Sequence, residues 1–316
     1  MPMTIKQHTI DTPYMVGPVH CYTVKIKGEL VLFDTGPPTD KARRYLREHV
    51  DLRSLQHVII THCHIDHYGL ASWLEKETEA TVYLPYRDAL KITRHDTQIE
   101  EMHRFLQGVG FGEDYLAELG RIFDSGVLFP PLPESFRIIE NDLPLHLGIN
   151  YLSCPGHSQS DLILIGEDWA VSGDVLLRGI FQSPLLDIDL ETGERFRNYD
   201  VYCDTLIKLA MLRRKRVMPG HRERIESVDA TIIFYITKML ERVAQLRPYA
   251  DDANIARIID RMFGKILSEP FHIFLKTSEI LFMKDFLEQP DRLLDSLVTI
   301  GLYDAVSARF QDAISH

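Results

Sequence analysis

Apolar residues in the first half of the chain fall in short runs bounded by turn residues. Residues 22–26, 30–33, 57–60 and 81–84 are such runs. Their β-branched and aromatic content predicts strands. Helical spacing appears between them, over 39–49 and 68–75. Residues 86–126 carry apolar positions at Ile99, Met102, Phe105 and Leu106, then at Tyr115, Leu116 and Leu119. This spacing predicts two helices inserted between strands. Pro130, Pro131 and Pro133 mark an extended return to the sheet. Strand patterns resume after Phe136, at 138–139, 145–147, 151–152, 162–165 and 169–171, with turns at 148–150 and 166–168. A helix over 199–213 precedes a last strand near Val217.

Beyond residue 228 the pattern is helical almost throughout. Asp251 and Asp252 can cap a helix over 253–263, and Gly264 can end it. Two more helices are expected at 278–287 and 291–300. Strands alternating with helices predict an α/β layered fold. The expected organisation is a main unit over 1–227, with the insertion at 86–126, and a helical appendage over 228–316.

At 316 residues, 45% hydrophobic and 26% charged, the chain can bury a large core without disulfides. Cys21, Cys63, Cys154 and Cys203 form no C-x-x-C pair and read as reduced thiols. Residues 1–11 are polar, unlike a signal peptide, and no uncharged apolar run approaches the ~20 residues of a spanning helix. The expectation is a cytoplasmic protein with no membrane association. A formal net charge of -11 repels polyanions. The one basic cluster, Arg213 to Arg216 (R-R-K-R), reads as a solvated helix end. Nucleic acid is therefore not the expected partner; a small molecule is.

The chemistry concentrates in the segment T-H-C-H-I-D-H-Y-G over 61–69, between an expected strand and an expected helix. His62 and His64 lie two apart and share a side in extended backbone. Asp66 and His67 are adjacent and diverge. Four ligand-type residues within six positions exceed one tetrahedral site with an open position, so two metals are expected. Three later segments repeat the placement. L-S-C-P-G-H ends at His157, A-V-S-G-D at Asp174 and V-M-P-G-H at His221. Each ligand-type residue follows an apolar strand and adjoins a glycine, which lets backbone approach closely.

Together these motifs resemble those of the metallo-β-lactamase superfamily, including its glyoxalase II-like thioesterases. Asp34 in F-D-T-G resembles the first motif of that family, and the resemblance spans about residues 8–228. It implies a four-layer αβ/βα sandwich with the metals at one edge of two sheets. By position, His62, His64 and His157 would hold one metal, Asp66, His67 and His221 a second, and Asp174 would bridge them. Asp34 would orient the loop by hydrogen bonds. The implied cofactors are two divalent cations, zinc first, with manganese or iron as alternatives. Leu70 departs from the glyoxalase pattern, which has a second glycine there. The C-terminal segment is more similar to the small winged-helix-like appendage of another branch, which includes thioesterase-like and RNA-cleaving members.

A metal-bridging hydroxide would attack an electrophilic carbonyl or phosphoryl group. Asp66 is expected to take the water's proton, with Asp174 as the bridging carboxylate. Cys63, between two ligands, is read as facing the core. Tyr68, Arg178, Phe181 and Gln182 are candidates for substrate contact, and the insertion could cover the pocket. The expected reaction is hydrolysis of a small ester or thioester, with a lactone as a close variant. The alternatives are a nuclease or phosphodiesterase, and a mononuclear iron enzyme resembling persulfide dioxygenases. The appendage could serve as a homodimer interface, a lid or a brace.

Overall fold

A computed structural model describes residues 4–126 and 128–315. Two sheets form its centre. The first has six strands in sequential order, β1 (Ile5–Ile10), β2 (Val19–Ile26), β3 (Glu29–Phe33), β4 (Leu55–Ile59), β5 (Thr81–Leu84) and β6 (Arg137–Ile138). β1, β2 and β3 are antiparallel neighbours, and β3 to β6 run parallel. The second sheet comprises β7 (Asn150–Ser153), β8 (Leu162–Ile165), β9 (Trp169–Gly173) and β10 (Arg216–Pro219), in the order β10-β9-β8-β7. Its outer pair, β9 and β10, is parallel.

Side-chain alternation divides the core into layers. Val31 and Phe33 of β3, Ile59 of β4 and Tyr83 of β5 meet Leu162 and Leu164 of β8, Trp169 and Val171 of β9 and Met218 of β10 between the sheets. The intervening Leu32, Val58 and Val82 turn the other way, onto α1 (Asp40–His49) and α3 (Ala71–Glu77). Ile163, Ala170 and Val217 face outward from the second sheet, onto helices described below. Strands buried on both faces read as continuous apolar runs, as these do. Two sheets back to back, with helices outside each, make the four-layer αβ/βα sandwich. The Thr39 side chain caps α1 by accepting from the Ala42 N–H.

Several elements differ from expectation. β1 lies in what reads as a polar tail. Its alternation of exposed Gln7 and Thr9 with buried His8 and Ile10 suits an edge strand. The helix expected over 68–75 is two helices, α2 (Ile65–Tyr68) and α3. They part where the Leu70 N–H bonds to Thr35 Oγ1 instead of continuing a helical ladder. The insertion has three helices, α4 (Tyr86–Thr93), α5 (His95–Gly108) and α6 (Glu113–Asp124), not two. α7 (Ile139–Asp142) follows β6 at once, so the strand expected at 138–139 stops at Ile138. Residues 145–147, expected as a strand, form a 3-10 turn between Pro144 and Gly148, the latter at φ 65°. His146 of that turn donates to the Glu29 carboxylate, which also accepts from His57.

α8 (Asn198–Leu209) precedes β10, and α9 (Val228–Leu246), α10 (Ile255–Phe263), α11 (Pro270–Glu288), α12 (Pro290–Ile300) and α13 (Ser307–Ile314) follow it. Asn254, rather than the aspartates before it, caps α10 by accepting from the Arg257 N–H. α11 starts at Pro270, earlier than the expected 278, with proline in the first turn where its missing N–H costs nothing. Among the described residues no strand follows Pro219, so no wing accompanies these helices. The outer face of the second sheet, α5, α6, α8 and α9 to α13 share one continuous apolar cluster. Among the described residues no helix is long and apolar enough to cross a membrane.

Candidate metal centre

All seven ligand-type residues lie beyond the carboxyl ends of strands. The 61–67 loop follows β4, His157 follows β7, Asp174 follows β9 and His221 follows β10. The two sheets are tied together at this edge. The Leu162 N–H donates to Thr61 O at 3.1 Å, and the His20 N–H to Gly220 O at 2.7 Å. Side chains from both sheets therefore converge on one place.

They converge as overlapping groups. The donor atoms of His62, His64 and His157 lie within 4.8 Å of one another, as do those of Asp66, His67 and His221, and those of His62, His67 and Asp174. Asp174 stands between the first two groups. Its carboxylate oxygens are 3.4 Å from His67 Nε2, 3.6 Å from His221 Nε2 and 3.9 Å from His157 Nε2. Asp66 Oδ2 is 3.2 Å from His221 Nε2.

The outer ring nitrogens have partners. His62 Nδ1 meets Thr61 Oγ1 at 3.1 Å and His67 Nδ1 donates to Asp34 Oδ2 at 2.9 Å. His157 Nδ1 donates to Ser183 O and His221 Nδ1 to Pro18 O, both at 2.8 Å. The inward atoms differ. Nε2 of His62, His67 and His221 and Oδ1 of Asp174 are buried with no hydrogen bond among the described residues. His64 Nδ1 and His157 Nε2 face each other at 3.1 Å. Unbonded buried acceptors are costly. A cation in each group would take up these lone pairs, so the residues present fit two divalent metals held by imidazole and carboxylate. Burial, then neighbouring His67, holds His62 well below the usual histidine range. Burial and His157 do the same to His64, which keeps these two imidazoles neutral, whereas at His67 and His221 burial is outweighed by Asp174, which raises His67 well above and His221 above the usual range. Burial works against ionising Asp174, but His221 and His67 hold its carboxyl well below the usual range.

Asp34 anchors the loop. It accepts from the Thr61 N–H at 2.8 Å, the Thr61 hydroxyl and His67. Two glycines make room. A Cβ on Gly173, at φ 48°, would lie 2.6 Å from Thr61 Oγ1, and one on Gly220 2.6 Å from Asp174 Oδ1.

Residues 14–221 match the profile of the metallo-beta-lactamase superfamily. The chain belongs to that superfamily. It is 28% identical over 307 residues to a probable metallo-hydrolase of Bacillus subtilis, covering 90% of this chain and 92% of that one. Two solved structures share the fold. A metallo-beta-lactamase family protein from Thermus thermophilus superposes with a TM-score of 0.64 at 19% identity, over 90% of this chain and 94% of that one. A beta-lactamase domain protein from Burkholderia ambifaria does so with a TM-score of 0.71 at 18% identity, over 89% of this chain and 86% of that one. As a metallo-beta-lactamase superfamily member with these His and Asp clusters, the chain is a metal-dependent hydrolase.

The four substrate candidates separate. Phe181 and Gln182 line a cavity that also touches His64, Asp66, His157 and Asp174. Tyr68 does not: it is buried in the core outside the first sheet, and its hydroxyl donates to Pro130 O at 2.7 Å. Arg178 is exposed and paired with Glu223 and Glu226, away from that cavity. Both misreadings took nearness in sequence to a ligand as nearness in space. Cys63 packs in the same core as Tyr68 and also edges the cavity. Burial, then Asp88, pushes its thiol well up, so it is no thiolate.

A buried charged network beside the centre escaped the sequence reading. Asp88 on α4 accepts from the Cys63 N–H, within the metal loop, and from the Ser160 hydroxyl. Lys91 lies 3.2 Å from Asp88 and 3.3 Å from Asp187, and Gln98 Nε2 donates to Asp187 at 2.6 Å. The insertion thus braces the loops carrying His62, His64 and His157. Tyr14, on the loop after β1, also lines the cavity. Burial, then Asp66, pushes its phenol up to about 12, which keeps it an O–H donor. Neither the network nor Tyr14 lies in a local motif, so no sequence signal marked them.

Proposed function

We propose that the chain is a dinuclear hydrolase acting on small ester or thioester substrates, lactones included. The observation that carries the reading is the position of Asp174 between two complete groups of inward-facing donors. The ligands are assigned as His62, His64 and His157 for one cation and Asp66, His67 and His221 for the other, with Asp174 shared. Two divalent cations, zinc first, supply Lewis acidity and lower the pKa of a bound water towards ~7.

The chain's own residues do the rest. Thr61, Asp34, Ser183 and Pro18 fix four imidazoles with their Nε2 lone pairs inward. Asp66 and Asp174 present carboxylates on the cavity wall, and Asp66 is the acceptor for the nucleophile's proton. Tyr14 offers a neutral O–H to the oxygen that gains charge. Phe181, Leu185 and Leu186 keep water from that part of the cavity. An apolar cavity and a net charge of -11 favour an uncharged acyl substrate over a phosphodiester.

The test is metal per chain by elemental analysis, followed by a panel of p-nitrophenyl esters, acyl thioesters, lactones and a phosphodiester. Two divalent cations per chain with ester or thioester turnover is the expected result. A single iron with oxygen uptake on persulfides, or turnover of the phosphodiester alone, would overturn it.

A further inference from the structure

The cavity beside the metal centre measures about 430 Å³, within the roughly 300–1,000 Å³ of small-molecule sites. Its walls come from parts of the chain that the ligand set does not use. The insertion contributes Ile99 and Met102 from α5 and Phe123 from α6. The C-terminal helices contribute Phe271, Phe274 and Leu275 from α11. The loop after β9 adds Leu177, Ile180 and Phe181. Insertion and appendage, far apart in sequence, thus close over the same space.

The lysine of this wall is already engaged. Lys91 sits between Asp88 and Asp187, and Gln98 bonds the far oxygen of Asp187. Among the described residues, no cation in that network is free to receive an anionic head group. Phe181 is fixed in place, stacked on Tyr235 at 4.5 Å with the Arg242 guanidinium 4.2 Å from its ring on another side. A rigid, mostly apolar wall whose lysine is already engaged suits a hydrocarbon group. The ligand residues in the same wall put the reacting carbonyl next to it.

We propose that this cavity is an acyl site, holding the unbranched hydrocarbon chain of an ester or thioester whose carbonyl lies at the metal centre. The proposal rests on the hydrolase reading above and extends it to a substrate class. At roughly 30 Å³ for the share of one water, the cavity holds about fourteen such units, which suits a carbonyl end together with a chain on the order of ten carbons. Each methylene moved from water into the cavity raises kcat/KM by about three- to fourfold. The helical insertion and α11 are then the elements that set chain length.

The experiment uses the metal-loaded full chain and p-nitrophenyl esters from acetyl to tetradecanoyl. A rise of about three- to fourfold per methylene, levelling near ten carbons, is expected. Leu275→Trp on α11 and Ile99→Trp on α5 each fill part of the cavity from a separate element. Each should lower the decanoyl-to-acetyl ratio of kcat/KM at least tenfold, and a thermal melt confirms folding. A flat series from acetyl to decanoyl, or a ratio unmoved in both folded variants, would refute the acyl site while leaving the hydrolase reading intact. If no ester, acyl thioester or lactone turns over, the ester and thioester reading fails, and the cavity is judged by binding alone. Decanol should then displace a fluorescent alkyl probe from the wild type and do so at least tenfold less well from Leu275→Trp. Equal displacement from both would sink the cavity proposal as well.

Discussion

Asp34 and His67 are joined by a 2.9 Å hydrogen bond inside a core that leaves Asp34 1% exposed and His67 fully buried. Asp34 holds a left-handed backbone, φ 56°, to make it. A non-glycine residue there is strained, and such strain persists where the surroundings demand it. Asparagine tolerates that conformation, so Asp34→Asn separates the charge from the backbone. Metal affinity should fall about 10- to 100-fold in this variant, with the fold retained. Titration of chelator-stripped protein with zinc, followed by metal counting, gives the answer. Unchanged affinity would leave Asp34 a purely structural residue.

Gly220 stands against the same centre from the opposite sheet. A methyl group there would meet Asp174 Oδ1 and His67 Cε1, both at 2.6 Å. Gly220→Ala should therefore displace both side chains. We expect less metal bound per chain than in the wild type, with a loss of about tenfold or more in turnover. Far-ultraviolet circular dichroism should stay close to wild type. An unchanged metal content would show that the edge yields more readily than the geometry implies.

Lys91 is buried between two carboxylates. Removing one partner of a buried ionic group is strongly destabilising, by about 3–5 kcal/mol. Lys91→Met should lower the unfolding free energy by about 3 kcal/mol in urea titrations. Asp88→Asn should do likewise, and should also loosen the metal loop through Cys63. Additive losses in the double variant would show that the two residues are not coupled.

His8 ties stability to pH. Burial, then Lys6 and His49, lowers its imidazole to about 4. Its Nε2 bonds Thr23 Oγ1 at 2.7 Å. The folded form binds its proton less tightly than the unfolded chain does. His8 therefore contributes no penalty above about pH 6.5, and stability is lost as pH falls from there towards 4. The loss attributable to it is on the order of 2–3 kcal/mol. Urea titrations of wild type and His8→Gln between about pH 7 and 4 measure the difference. Parallel curves would acquit His8.

The ligand-type residues stand out in the sequence because each group follows an apolar run and three of the seven, His157, Asp174 and His221, adjoin a glycine. That is local information; the same runs give an α/β layered fold, and the four-layer sandwich comes from the resemblance of the motifs to the superfamily. What escaped it was set by distant contacts. β1 is an edge strand whose buried positions, His8 and Ile10, are outnumbered by polar ones. Residues 145–147 alternate like a strand, yet Pro144 and Gly148 close them into a turn that His146 fastens to Glu29, 117 residues away. α4 begins after Pro85 with no side-chain cap to announce it. The Lys91 and Asp187 contact spans 96 residues and has no local signature. Tyr68 lies away from the cavity because a four-residue helix turns it into the core while Asp66 and His67 join the donor groups.

The ligand set is also a statement about time. Its first member is His62 and its last is His221, and His221 pairs with Val19 near the start of the chain. Contacts this distant in sequence form late, after the loop-closure entropy of the intervening chain has been met. During synthesis the group of Asp66, His67 and His221 can have all its donors only once β10 has left the ribosome and docked beside β9. Convergence of these donors therefore reports a completed sandwich, and a chain stalled before that strand carries the histidines of the first loop without their distant partner.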